Sequence, residues 1–157
     1  MIFMVAPRRP IDEADRRTGA ETLMTMQLGK AGIDLGIVVR DVEAMVAFYR
    51  DTLGLYYEGA NPVPGGGEMH RLWAAETMVK LVAPDPAPAA GNPPGGLRAA
   101  SGMRYFTFTV TNLDEVFDAC SAAGAAVVLT PFAVAPSVRI AMVEDPDGNH
   151  VEFLERS

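Results

Sequence analysis

The sequence predicts an α+β protein made of two copies of a βαβββ unit, and three features of the chain indicate this fold class. Apolar, β-branched runs and one stretch of helical spacing follow each other as strand, helix, strand, strand, strand, and this order occurs twice. A segment rich in proline and glycine, residues 84–96, separates the two occurrences. The two occurrences also match each other along the sequence, which is typical of duplicated units that close a shared core.

Start and stop signals support each predicted helix. In the first unit Asp41 can accept hydrogen bonds from the first free amides of a helix that Gly54 ends, and Asn112 and Gly124 have these positions in the second unit. Loops are predicted over residues 61–67 and 131–136. The predicted strands cover residues 33–39, 55–58, 70–74 and 77–83, and then residues 105–110, 126–129, 138–143 and 149–155.

These elements indicate one domain behind an N-terminal extension. Residues 1–31 are charged and poorly periodic, so we expect a poorly structured segment there. The domain, residues 32–157, is predicted to consist of a module over 32–83, a linker over 84–101 and a module over 102–157. A chain of 157 residues is long enough to bury a sizeable core.

Composition excludes two classes of partner and indicates a compartment. The formal net charge is −7, from 13 basic and 20 acidic residues, so a nucleic-acid partner is not expected. Apolar runs fall far short of the ~20 residues that a membrane span needs, so no membrane association is expected. The single cysteine, Cys120, has an apolar helical position that predicts a packed core thiol, and one cysteine suits a reducing compartment. We therefore predict a cytoplasmic protein.

The internal match has two slightly different offsets. Residues 39–42 match residues 110–113 at an offset of 71, whereas residues 78–82 match residues 150–154 at an offset of 72. A one-residue difference in the intervening loops explains the change.

The last strand is predicted to separate apolar from polar side chains. Pro146 and Gly148 indicate a tight turn, and the residues after it alternate. Val151 and Phe153 point to one face, whereas His150, Glu152 and Leu154 point to the other. A carboxylate and an imidazole therefore share one face of a strand whose other face is apolar.

Three motifs together resemble the vicinal oxygen chelate superfamily. They are residues 38–41, residues 48–55, and the turn over residues 144–149 followed by Glu152. This superfamily contains glyoxalase I, extradiol dioxygenases, methylmalonyl-CoA epimerase, fosfomycin resistance enzymes and bleomycin-binding proteins. The resemblance covers residues 32–156. It implies two βαβββ modules that curl into a cupped, open mixed β-barrel, commonly in a homodimer.

The resemblance also points to four positions for a metal ion. In the metal-using members, side chains from the first and last strands of both modules hold a divalent ion, and these are usually His or Glu. The corresponding residues here are Asp34, Lys80, Tyr105 and Glu152, of which Glu152 alone has an expected type. A protonated ammonium has no lone pair to donate and repels a dication. The prediction is therefore a site without metal or other cofactor, with a divalent metal as the alternative.

Each residue of this set also has a plain structural interpretation. Lys80 is either a cationic anchor or acid catalyst facing a pocket, or one half of an ion pair with Asp34 or Glu152. Glu152 is expected to face the pocket as base, ligand or counter-ion, and a neighbouring ammonium favours the ion pair over the base. Tyr105 is either core packing or a hydroxyl donor reaching into the cup.

The two histidines have competing interpretations as well. His150 shares a face with Glu152, so one interpretation is a metal pair supplemented by Asp34, and the other is an exposed histidine, which is the commoner case after a turn. His70 either lines the mouth of the cup or lies on the surface.

Two functions follow. The first is binding of an apolar or aromatic small molecule, for sequestration or for a metal-independent acid–base isomerase or lyase step. In that step Glu152 moves a proton, Lys80 stabilises an enolate oxygen and Tyr105 donates a hydrogen bond. The second is a metal-dependent lyase, isomerase or dioxygenase with an altered ligand set. The predicted ligand-binding residues are Asp34, Tyr57, His70, Trp73, Phe106 and His150.

Overall fold

The structure is a computed structural model that describes residues 29–157. Residues 32–157 form one compact unit. Most of the predicted N-terminal extension, residues 1–28, lies outside the described residues. No helix within the described part of the chain is long and apolar enough to cross a membrane.

Both modules have the predicted order of one helix and four strands. In the first, a single π-helical turn, Phe48–Thr52, extends the helix. The elements are β1 (Leu35–Val38), α1 (Val42–Ala47), β2 (Tyr56–Pro62), β3 (Gly67–Ala74) and β4 (Thr77–Pro84). In the second they are β5 (Tyr105–Val110), α2 (Leu113–Ala122), β6 (Val127–Ala135), β7 (Val138–Glu144) and β8 (His150–Arg156). A 3₁₀ turn, Gly96–Arg98, lies in the linker between the modules.

The eight strands form two mixed four-stranded sheets that are cupped and do not close into a barrel. Their orders are β1-β4-β3-β2 and β5-β8-β7-β6, so β1 and β5 are corresponding edge strands. In each sheet the first and last strands of the module run parallel and the remaining pairs run antiparallel. This confirms the predicted α+β fold of two βαβββ modules.

The strand register reproduces both offsets of the sequence repeat. Gly36 lies opposite Lys80 in the first sheet, and Thr107 lies opposite Glu152 in the second. Gly36 and Thr107 are 71 residues apart, whereas Lys80 and Glu152 are 72 apart. The parallel strand pairs of the two sheets are therefore equivalent in register, and the extra residue lies in a loop.

One hydrophobic core joins the two modules. It contains Tyr49 of the first helical segment, Val79 of β4, Leu113 of α2 and Phe153 of β8, all essentially inaccessible to solvent. Cys120 is also fully buried there, which confirms the predicted core thiol. Burial raises the pKa of the Cys120 thiol to about 11, so the thiol stays protonated and inert at neutral pH.

The two helix starts differ in chemistry. Asp41 caps α1 as predicted, because its Oδ1 accepts a hydrogen bond of 3.0 Å from the backbone N–H of Ala44. Asn112 also has the N-cap position of α2, but its side chain makes no capping bond and donates to Glu115 instead. The predicted role of Asn112 is therefore right in position and wrong in contact.

Two predicted loops are partly strand. The segment 131–136 was predicted as a loop because it contains Pro131 and Pro136, yet β6 continues through Pro131 to Ala135. A proline lacks an N–H for the ladder, but β6 is an edge strand with irregular pairing, where that donor is not required. Likewise, β2 extends to Pro62 and β3 begins at Gly67, so the first loop is shorter than predicted.

Candidate functional site

Lys80 and Asp34 form an ion pair on the face of the first sheet that points away from α1. Lys80 Nζ lies 3.0 Å from Asp34 Oδ2, and the side chains are 33% and 29% exposed. The other carboxylate oxygen of Asp34 accepts from the backbone N–H of Met78 at 3.3 Å. Among the described residues the ion-pair partner of Lys80 is thus Asp34 and not Glu152.

Glu152 has a neutral partner. The hydroxyl of Thr107, directly opposite on β5, donates a hydrogen bond of 2.8 Å to Glu152 Oε1. Thr107 and Glu152 in the second sheet correspond to the paired residues Gly36 and Lys80 in the first sheet. The carboxylate of Glu152 is therefore not neutralised by the ammonium, which was the feature that favoured an ion pair over a base.

The four positions at which the superfamily holds a metal do not fit a divalent ion in this chain. Lys80 contributes a cation, and that cation binds an oxygen of Asp34. Within residues 29–157 no three His, Cys, Asp or Glu side chains are gathered closely enough to hold an ion. The alternative set of Glu152, Asp34 and His150 is therefore not assembled either.

Tyr105, Phe106 and His150 line one cavity of about 620 Å³. Its walls come from the edge strand β1, the start of the edge strand β5, the linker and the turn before β8. Tyr105 is 46% exposed, so its ring is open to the cavity rather than packed in the core. Of the nine predicted site residues these three line the cavity, whereas Lys80, Asp34 and Glu152 do not.

His150 is buried, not exposed as a histidine after a turn commonly is. Its residual exposure is 7%, and Nε2 lies 3.3 Å from Glu144 Oε1. Nδ1 has no hydrogen-bond partner among the described residues. Gly96 of the linker covers the ring so closely that a Cβ atom there would collide with Cε1 of the imidazole. The linker therefore packs directly on this histidine.

The turn that precedes His150 is fixed by a buried carboxylate. Asp145 accepts hydrogen bonds from the hydroxyl of Tyr49, at 2.8 Å, and from the backbone N–H groups of Asp147 and Asn149. Desolvation raises the pKa of Asp145, and these hydrogen bonds oppose the rise. Desolvation and the Asp145 charge raise the pKa of Tyr49 well above its ordinary value. The network anchors the start of β8 to the first module.

The remaining predicted ligand-binding residues, Tyr57, His70 and Trp73, lie on the two faces of the first sheet. His70 lies opposite the core residue Leu81, and the Tyr57 hydroxyl lies 3.0 Å from His70 Nδ1. These two therefore share the helix side of the sheet. Trp73 shares the other face with Lys80, and its Nε1 donates to Glu58 at 3.0 Å. None of the three lines the cavity of Tyr105 and His150.

Sequence reasoning missed three residues at these sites. The sequence repeat could have indicated Thr107. Once β5 pairs with β8 in parallel, Thr107 lies opposite Glu152. Arg40 and Arg104, which line the cavity, carried no such signal. Arg104 donates to the backbone carbonyls of Pro93 and Gly96, and a linker without periodicity gives no means of predicting those contacts.

Comparisons with known proteins agree with this geometry. The model of the glyoxalase/bleomycin resistance protein/dioxygenase superfamily matches residues 32–153. No curated protein sequence matches the chain.

Solved structures share the fold at low sequence identity. A glyoxalase family protein from Bacillus cereus has a TM-score of 0.71 at 20% identity, covering 85% of this chain and 97% of its own. An antibiotic-binding protein from Streptomyces sp. CB03234 has a TM-score of 0.61 at 21% identity, with coverages of 83% and 100%. A lactoylglutathione lyase from Agrobacterium tumefaciens has a TM-score of 0.57 at 25% identity, with coverages of 82% and 96%. The chain belongs to the glyoxalase/bleomycin resistance protein/dioxygenase superfamily, the vicinal oxygen chelate group that its motifs resemble.

Proposed function

We propose that this protein binds an aromatic or apolar small molecule in the cavity lined by Tyr105, Phe106 and His150. The observation that supports the proposal is the gathering of these three predicted residues around one cavity of about 620 Å³. Ligand pockets in proteins are typically ~300–1,000 Å³ and combine apolar walls with a few polar groups. Sequestration is the simplest function for such a site. The antibiotic-binding protein from Streptomyces, which has the same fold, supports this proposal.

A neutral aromatic probe tests the proposal. We expect 1-naphthaleneacetamide to bind in isothermal titration calorimetry, and Tyr105→Ala to weaken its binding about tenfold, because an aromatic wall of the pocket is lost. Tyr56→Ala is the matched control, since Tyr56 is 70% exposed and does not line the cavity. Absence of binding, or equal weakening by both variants, would contradict the proposal.

An acid–base step at Glu152 is the second candidate, and one contact supports it. Because Glu152 accepts from the Thr107 hydroxyl and not from an ammonium, its carboxylate can take a proton from carbon α to a carbonyl. Lys80 would then stabilise the enolate oxygen, whereas Tyr105 lines the separate cavity. In this version Lys80→Ala abolishes turnover while the circular dichroism spectrum stays unchanged. Turnover that survives in Lys80→Ala would rule out this role of Lys80.

A metal-dependent lyase, isomerase or dioxygenase is the alternative with less support, because Lys80 and Asp34 neutralise each other at two of the four metal positions. Elemental mass spectrometry after incubation with Mn, Fe, Co, Ni and Zn separates the two hypotheses. A stoichiometric ion, together with activity that a chelator removes, would favour the metal-dependent alternative.

Two further proposals concern assembly and location. Homodimer formation is supported by the apolar side chains on the edge strand β6, where Val127, Val128, Phe132 and Val134 are 39–50% exposed. A cytoplasmic location is supported by the single, buried thiol of Cys120, which suits a reducing compartment.

A further inference from the structure

We propose that Arg40 and Arg104 form an oxyanion subsite in this cavity, so that the ligand is an aromatic molecule carrying a carboxylate or a phosphate. The inference rests on the proposed binding function and adds the chemical class of the ligand. Three observations support it: the hydrogen bonds that position Arg104, the side chain of Arg40 in the cavity lining, and the excess of basic over acidic side chains in that lining.

Arg104 is held in place with much of its donor capacity unused. Its Nε donates to the carbonyl of Gly96 at 3.0 Å, and its Nη2 donates to the carbonyl of Pro93 at 2.9 Å. These two bonds use two of five guanidinium N–H groups and bring no negative charge. The group is thus positioned by the linker while its charge stays uncompensated by any carboxylate among the described residues. A preorganised guanidinium of this kind is suited to planar, bidentate oxyanions.

Arg40 adds a second cation to the lining of the cavity. It follows β1, and the hydrogen bond that it makes with the described residues comes from its backbone and not from its side chain. The guanidinium lies against the linker, since a Cβ atom built on Gly91 would be 3.1 Å from its Nη1. Its backbone N–H, in contrast, donates to Asp147 Oδ2 at 2.8 Å. The side chain is therefore available to a ligand.

The cavity wall is more basic than the rest of the molecule. Two guanidinium groups and one carboxylate, that of Asp147, line the cavity, whereas the whole chain has a net charge of −7. Asp147 accepts from the backbone N–H of Arg40 and forms no ion pair with either arginine among the described residues. Arg50, Arg71 and Arg139, which lie elsewhere, each have a carboxylate partner. A basic site on an acidic protein selects anionic ligands by attracting them and by repelling them elsewhere.

The apolar part of the same wall indicates the rest of the ligand. Leu35, Ile37, Met103 and Phe106 contribute hydrocarbon surface, and Tyr105 contributes an exposed ring. An aromatic body can lie on these side chains while its charged group reaches the arginines. The site therefore predicts an amphipathic organic anion and not a free inorganic ion.

Three matched probes test the charge requirement by isothermal titration calorimetry. 1-Naphthaleneacetamide, 1-naphthylacetate and 1-naphthyl phosphate share one aromatic body, and the first is neutral. We expect at least one anionic probe to bind about tenfold more tightly than the amide, because hydrogen bonds to an ionised acceptor are the stronger ones. The tighter of the two anions identifies carboxylate or phosphate as the preferred group.

Two variants locate the charge. We define the preference as the Kd of the neutral amide divided by the Kd of the anion. We expect Arg40→Gln and Arg104→Gln each to reduce this ratio towards one, while binding of the neutral amide is retained. Arg104→Gln also removes bonds to the linker, so Arg40→Gln is the deciding variant if Arg104→Gln fails to fold. The control is Arg156→Gln, which makes the same change of charge at an exposed position outside the cavity.

The outcomes separate this inference from the function on which it rests. Absence of binding by all three probes would contradict the proposed function itself. Binding of the amide with no preference for either anion would overturn the oxyanion subsite alone. An anion preference that persists in Arg40→Gln, or that Arg156→Gln reduces equally, would overturn the assignment of these arginines.

Discussion

Gly96 is the residue where the linker approaches the candidate site most closely. Its φ is +57°, in the left-handed region, and a Cβ atom at this position would collide with the imidazole of His150. Both the backbone conformation and the space therefore require glycine.

We expect Gly96→Ala to destabilise the protein more than Gly54→Ala, measured as the free energy of unfolding in urea. Gly54 has a similar φ of +74° but no atom within 4 Å of the built Cβ, so it controls for backbone strain alone. The strain is expected to cost ~1–2 kcal/mol at either position, and only Gly96→Ala adds a steric conflict. Equal losses would show that the linker moves away from His150 without cost.

Tyr49 gives the protein a specific sensitivity to alkaline pH. Its pKa is raised in the folded state by desolvation and by Asp145, whereas an unfolded tyrosine titrates near 10.0. Above pH 10 the unfolded chain therefore loses a proton that the folded chain keeps, and stability falls as pH rises towards the folded pKa. We expect the free energy of unfolding to decrease between pH 9.5 and 11.

Tyr49→Phe is expected to flatten this decrease, although loss of the hydrogen bond to Asp145 lowers stability at neutral pH by about 1 kcal/mol. Tyr56→Phe provides the comparison, because Tyr56 is mostly exposed. If both variants keep the wild-type slope, another group controls the alkaline transition.

The sequence predicted the partner of a charged residue where that partner lies beside a strand of the same sheet. Asp34 was one of two partners considered for Lys80, and it directly precedes β1, the strand that pairs with β4, on which Lys80 lies. The contacts of Arg104 and His150 were not predicted, because they depend on where a linker of prolines and glycines lies. That path is set by tertiary contacts and leaves no periodic signal.

At the scale of elements, the sequence predicted the number, order and type of strands and helices. The hydrophobic alternation and the caps were sufficient for this, because each element buries one face against the shared core. The errors occurred at prolines. The predicted strands stop at residues 58 and 129, before Pro62 and Pro131, whereas the observed edge strands include both prolines, because a proline removes only one donor from the ladder and edge strands do not need every donor.

The exposed apolar side chains of the edge strand β6 lead to a prediction about dimer formation. We expect the wild-type protein to be a dimer by size-exclusion chromatography with light scattering, and Val134→Lys to shift it towards monomer. Val134 is 50% exposed on this strand, and a buried ammonium would be costly in an interface. Tyr56→Lys on the edge strand β2 is the comparison; dissociation by that variant alone would assign the interface to the other sheet.

At the scale of the whole molecule, the two modules share the order of their elements and strands but differ in the polar side chains that they present. The first sheet presents the charged pair of Lys80 and Asp34, and the second presents the hydroxyl and carboxylate of Thr107 and Glu152. The cavity that we propose as the binding site lies beside neither pair, but between the linker and the edge strands β1 and β5. Fold-level kinship therefore does not determine the ligand, and in our proposal residues of the linker form part of the binding site.

The register shared by the two sheets has a consequence for how such a protein diverges. Because the parallel strand pairs share one register, each position in the first pair has an equivalent position in the second, and the side chains at equivalent positions can differ. A metal centre assembled from both sheets needs a donor side chain at each of its positions, and a protonated Lys80 has no lone pair to donate. Returning a donor at position 80 would still leave Tyr105 in the other copy. A centre with only His and Glu donors at these positions would therefore require substitutions in both sheets.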